Sequence, residues 1–156
     1  LHWTQEEIDF AQKVNEGYPP GTAQANAAAF GMPAEMAKQP ILSENYPAYD
    51  EGKVLTGSTD VGDMSWRVPL SMLMTACWTT ASVGHSWGIV ATSGMSIGHK
   101  GMLHAAKIMA LTAMDLFTDP KHIQQARAEF ERELEAHPYI NPIPAHIHPP
   151  RYTSED

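Results

Sequence analysis

Histidine is the residue type with most to offer chemically. Eight histidines stand beside a single cysteine in 156 residues, and a neutral imidazole is a good ligand for zinc or manganese. No single stretch forms a metal motif: His-Glu-x-x-His and any cysteine pair are absent. His99 and His104 lie five apart on an expected helix, so they do not share a face and read as structural or exposed. His146-x-His148 would place two imidazoles on one side of an extended segment, a spacing that can bind metal. Its terminal, proline-rich setting argues against a native site there. His85 differs. It sits in Val83-Gly84-His85-Ser86-Trp87, a loop expected directly after a buried strand, where it could hold a metal if other elements bring further ligands. The alternative is a hydrogen-bonded loop histidine.

A second candidate is the turn Gly57-Ser58-Thr59-Asp60. Its backbone N–H groups and hydroxyls could receive a carboxylate, with Gly57 permitting close approach. An ordinary strand-to-helix turn with a polar cap explains the same residues equally well. Cys77, inside an apolar run, reads as a small buried hydrophobe rather than a nucleophile.

The elements that must position these residues follow from local pattern. Thr4-Gln5-Glu6-Glu7 is a capping box that opens a helix with an apolar face at Ile8, Phe10, Ala11 and Val14. Trp3 stands ready to staple it, and Gly17 and Pro19-Pro20 end it. Ala23–Phe30 is a possible alanine-rich helix. Pro33 fits a first helical position ahead of Ala34–Lys38. Lys53–Thr56 is a short strand candidate, and Val61–Val68 a short helix that ends before Pro69. Leu70–Thr79 is almost continuously apolar, as a strand buried on both faces would be. Ala81–Gly94 reads as loop with short extended pieces.

Ser96 can cap a long apolar helix with Leu103, Ala106, Ala110, Ala113 and Phe117 along one stripe. Met102, Ile108, Met109 and Met114 widen the stripe, as in a helix packed on a sheet. Asp119-Pro120 then supplies an N-cap and a first helical residue. The last helix, Lys121–Glu135, would bury Ile123, Ala126, Phe130 and Leu134. Residues 138–156 form a proline-rich tail. Strands mixed with helices imply an α/β layer structure.

Composition narrows the partners. A net charge of −8 and the lack of a Lys/Arg run argue against nucleic acid. Hydrophobic residues at 43 % argue for a packed core. No apolar run reaches membrane-spanning length, and neither a transmembrane segment nor a signal peptide is expected in this stretch. One cysteine fits a cytoplasmic location. The chain begins at Leu1 rather than Met, so a piece of a longer protein is expected.

Three landmarks occur in a recognisable order: Gly57-Ser58-Thr59-Asp60-Val61-Gly62-Asp63-Met64-Ser65-Trp66, Gly84-His85-Ser86-Trp87, and Ile97-Gly98-His99-Lys100-Gly101-Met102-Leu103-His104-Ala105-Ala106-Lys107. Together they resemble the C-terminal part of the two-metal aminoacylase/carboxypeptidase family of amidohydrolases. Trp87 after His-Ser agrees with the aminobenzoyl-glutamate branch of that family. The opening helix fits the point where such chains return from an inserted lid domain.

The resemblance implies a fold and a division of labour. Residues 1–156 would be the C-terminal portion of an α/β/α sandwich catalytic domain of the zinc-peptidase type, with the lid absent. His85 would match the family's last metal ligand, in an intact enzyme holding two divalent ions, zinc or manganese. The Gly57, Ser58, Thr59 and Asp60 turn would face the carboxylate end of an N-acyl amino acid substrate such as p-aminobenzoyl-glutamate. The family's other ligands, bridging aspartate and general-base glutamate lie upstream of the lid, and nothing in this chain matches them. The expectation is therefore part of a metal-dependent amidohydrolase, inactive as an isolated chain, with the remainder of the catalytic domain as partner and homo-oligomerisation expected. Two rivals stand beside it. One is a non-catalytic binding or assembly module that docks on a partner subunit through apolar patches such as Leu70–Trp78. The other is an unrelated small α/β domain with a chance match.

Overall fold

The computed structural model describes residues 1–54, 57 and 59–149. Its regular elements are α1 (Gln5–Glu16), α2 (Thr22–Ala29), a 3-10 turn (Ala34–Lys38), α3 (Val61–Ser65), α4 (Trp87–Ser93), α5 (Ser96–Thr118) and α6 (Pro120–Ala136). The chain divides into two compact units, Leu1–Thr59 with Ser71–Asp119, and Asp60–Leu70 with Pro120–Asp156.

The expected α/β sandwich is overturned: every regular element among the described residues is helical. Leu70–Thr79 shows why. A strand is completed by a neighbour that takes up its N–H and C=O groups, and the described residues offer this segment no second strand. Residues 70–77 carry no regular structure, with Met72 69 % and Met74 65 % exposed. The other strand candidate, Lys53–Thr56, begins without regular structure at Lys53 and Val54. Its Leu55 and Thr56 lie outside the described residues.

In the first unit the capping box forms as the sequence requires. Glu7 N–H donates to Thr4 Oγ1 at 3.3 Å, and Thr4 N–H donates to Glu7 Oε2 at 2.7 Å. Glu7, Ala11 and Val14 then share the buried face of α1. A small core of Ala11, Ile41 and Ile97 is flanked by Trp3, Phe10, Ala76 and Met95. Trp3 also donates its indole N–H to the Leu42 carbonyl at 2.9 Å, which fixes the entry to α1. α2 packs on the 3-10 turn and α4 on α5. Gly101 in α5 lets the irregular segment come close: a Cβ there would strike the Ala76 carbonyl and lie 2.6 Å from Cys77 Sγ. Cys77 is half-buried at this contact.

Several local expectations shift. Ala34–Lys38 is a 3-10 turn whose preceding residue, Pro33, occupies the cap position. Ala81–Gly94 contains α4, a helix that its β-branched residues and Gly88 hide from propensity. Ser96 is the first residue of α5 rather than its cap. The apolar stripe of α5 is open: Met102, Leu103, Met109 and Met114 are exposed, and Phe117 is 88 % exposed. Buried positions in α5 are confined to Ile97, Gly98 and Gly101.

In the second unit α3 is followed by hydrogen-bonded turns at Trp66, Arg67 and Val68. Tyr139 from the tail donates its hydroxyl to Asp63 Oδ1 at 3.1 Å, with the Arg67 guanidinium 5.0 Å over its ring. Trp66, Pro69 and Leu70 line a groove with Ala126, Phe130 and Leu134 of α6. The last three are half-buried and Ile123 is exposed, so the expected apolar face of α6 is only partly covered.

Candidate functional site

The His85 loop belongs to the first unit and is built from both sides. On its N-terminal side, residues 79–82 are held by polar side chains. Asn15 Nδ2 donates to the Pro40 carbonyl at 3.0 Å and to Thr80 Oγ1 at 3.3 Å, while its Oδ1 accepts the Ala81 N–H at 3.1 Å. Asn26 Nδ2 donates to the carbonyls of Thr80 and Ser82 at 3.0 and 3.1 Å. Thr79 and Ser82 share a buried 2.8 Å hydrogen bond. On the C-terminal side, Tyr18 stacks on Trp87 with ring centroids 5.1 Å apart and planes 8° from parallel. Its hydroxyl meets Ser86 Oγ at 2.6 Å and accepts the Gly88 N–H at 3.0 Å.

His85 stands at the tip of this frame with φ 60°, the one non-glycine residue with positive φ among the described residues. A side-chain-bearing residue in that region costs about 1–2 kcal/mol unless its surroundings hold it there. The imidazole is exposed and makes no hydrogen bond to the described residues.

The turn at Gly57 divides between the units. Gly57, with φ 155° and open space where a Cβ would stand, belongs to the first unit with the exposed Thr59. Ser58 lies outside the described residues. Asp60 belongs to the second unit, in the cap position of α3, where it makes no side-chain capping bond.

The remaining histidines do not assemble. His99 is exposed and His104 half-buried on α5, and His146 and His148 are exposed in the tail. Among the described residues no group of three or more His, Cys, Asp or Glu could hold a metal ion. A catalytic zinc site takes about three protein ligands and a water. Among the described residues the donor set does not fit a complete centre. What His85 offers is a single presented donor.

The residues that build this frame, Asn15, Tyr18, Asn26 and Thr80, are absent from the sequence-level expectations. Asn15 and Tyr18 stand at the end of α1 and Asn26 in α2, and their pairing with residues 80–88 is long-range, so no local pattern exposes it.

No family model and no solved structure matches the chain. A curated protein does match: one of the subunits of p-aminobenzoyl-glutamate hydrolase from Escherichia coli (strain K12), 33 % identical over 156 residues. The match covers 94 % of this chain and 32 % of the relative, so the chain spans about a third of the length of the curated relative it matches. That relative is, by its name, a component of a hydrolase. With a third of its positions identical over nearly its whole length, the chain is a homologue of part of that p-aminobenzoyl-glutamate hydrolase component.

Proposed function

We propose that this chain is part of a metal-dependent amidohydrolase that cleaves the amide bond of an N-acyl amino acid such as p-aminobenzoyl-glutamate. The observation that carries the reading is the 33 % identity, along nearly the whole chain, to a component of a hydrolase named for that substrate. His85 supplies one ligand to a centre of two divalent ions, zinc or manganese. The other ligands and the general base come from the rest of the enzyme. The Gly57, Ser58, Thr59 and Asp60 turn receives the carboxylate end of the substrate. Alone, the chain is expected to hydrolyse nothing: among the described residues no metal-holding group of three donors forms, and no residue matches the family's general base.

The test is p-aminobenzoyl-glutamate hydrolysis by the assembled enzyme, before and after chelation, with zinc or manganese restored. Activity that a chelator removes and the metal returns is the expected result. His85→Ala should then lower metal content together with turnover. Full activity and full metal content in that variant would remove His85 from the site.

A second reading is favoured by the open apolar surface of α5 and of residues 70–78. In it the chain is a non-catalytic binding or assembly module that docks on a partner subunit, since large exposed apolar patches mark interaction sites. Sedimentation of the purified chain and activity of the His85 variant in the assembled enzyme separate the two readings. Self-association supports docking, and catalytic dependence on His85 supports the first reading.

A further inference from the structure

We infer that Tyr18 is the positioning residue of the His85 loop, holding His85 in its left-handed backbone conformation without touching the imidazole. The relevance to catalysis rests on the reading of His85 as a metal ligand; the conformational claim does not.

The proton inventory gives the argument its direction. Ser86 Oγ donates to the Val83 carbonyl at 2.5 Å, which closes a turn whose central residues are Gly84 and His85. With that proton committed, the 2.6 Å contact between Tyr18 and Ser86 hydroxyls requires Tyr18 O–H as donor. The Tyr18 oxygen in turn accepts the Gly88 N–H. One directed chain therefore runs from Gly88 N–H through Tyr18 and Ser86 to the Val83 carbonyl. It spans both ends of the turn that carries His85. The Tyr18 ring also stacks on Trp87 between the two bonded residues, so three consecutive residues are clamped by one side chain.

Two glycines make room for the clamp. A Cβ at Gly17 would lie 2.6 Å from the Trp87 ring, and one at Gly88 would run into the Tyr18 hydroxyl. Tyr18 itself leaves the end of α1, 68 positions from Ser86. The clamp thus ties the loop to a helix rather than to its own neighbours. A left-handed residue persists only when its surroundings over-determine it, and this directed chain is the arrangement that does so.

The experiment uses the full chain with histidine- and glycine-selective isotope labels. Tyr18→Phe keeps the aromatic stack and removes the hydroxyl. The expected result is at least about tenfold faster exchange of the Gly88 amide, with His85 Cα and Cβ shifts moving away from left-handed values. His99 and Gly101 signals, from α5, should stay in place. Ser86→Ala breaks the same chain one bond further on and serves as the second variant should Tyr18→Phe fail to fold. Unchanged Gly88 exchange and His85 shifts in both variants would overturn the proposal.

The assembled enzyme then separates the two claims. Lower kcat for Tyr18→Phe with metal content retained, beside metal loss in His85→Ala, supports both. Loop shifts in Tyr18→Phe beside a fully active His85→Ala uphold the positioning role and remove the metal reading instead.

Discussion

Glu7 and Lys100 stand 93 positions apart in sequence and meet in a 2.6 Å ion pair, with the carboxylate almost wholly enclosed. Glu7 belongs to the capping box of α1 and Lys100 to the first turns of α5, so one contact joins the helix cap to the longest helix. Lys100 also lies 5.7 Å over the Trp3 ring and donates to the His2 carbonyl at 3.2 Å. Removing the cation leaves a buried carboxylate without its counter-charge. Lys100→Met should lower stability by on the order of 2–3 kcal/mol, read by urea unfolding. Adding Glu7→Gln should recover part of the loss. A single variant as stable as the parent would deny the pair any structural role.

The same carboxylate gives the first unit an acid-sensitive contribution. Burial raises the Glu7 pKa, but hydrogen bonds from Lys100, Ser96 and the Thr4 N–H outweigh it and bring the value from 4.5 to about 2. A depressed carboxylate stabilises the fold fully above its unfolded value and stops doing so below its folded one. The contribution is therefore complete above 4.5, shrinks as pH falls, and is gone below about 2. Unfolding midpoints measured down that range should fall more steeply for the parent than for Glu7→Gln. Parallel profiles would refute the linkage.

Glycine positions differ in what they tolerate. Gly101→Ala drives a methyl into the Ala76 carbonyl and Cys77 Sγ, at a cost of about 1–3 kcal/mol. Gly84→Ala meets nothing within 4 Å and should stay within about 0.5 kcal/mol of the parent. Equal stabilities for the two variants would mean that the 76–77 segment does not rest on α5.

At His85, conformation and chemistry pull apart. His85→Gly should raise stability by about 1 kcal/mol, because glycine adopts φ 60° without a steric penalty. On the proposed function, the same variant loses activity in the assembled enzyme. A thermal melt and an activity assay on one preparation test both halves. A destabilised variant would show that the imidazole makes contacts that hold the loop.

Phe117, the one Phe, Tyr or Trp residue of α5, is 88 % exposed. Phe117→Ser should leave the unfolding free energy within about 0.5 kcal/mol while reducing any self-association in sedimentation. Marked destabilisation would mean that this end of α5 is packed within the chain after all.

Local chemistry was well written in the sequence. The Thr4–Glu7 box and the start of α6 at Pro120 are where a capping residue and a proline place them, and the alanine-rich helix expected over Ala23–Phe30 forms as Thr22–Ala29. The resemblance carried by Gly57–Lys107 agrees with the homology to a hydrolase component. Sheet structure was misread because strands are relational. Leu70–Thr79 has the composition of a buried strand, yet composition cannot supply the neighbour that would make it one. Burial along α5 was misread for a related reason: periodicity marks a face as apolar without saying that anything covers it. At the site, the residue at the loop tip was legible, but the side chains that hold it, Tyr18 and Asn15, act across more than sixty positions and left no local trace.

The open flank of α5 carries Met102, Met109 and Met114, whereas Met36 is enclosed in the first unit. Thioethers at such a surface are within reach of peroxide, which converts them to polar sulfoxides. Mild oxidation followed by peptide mass analysis would therefore mark the three α5 sites and spare Met36. A surface able to associate while reduced would become one that prefers water, so the redox history of a preparation would govern how readily this helix sticks to anything.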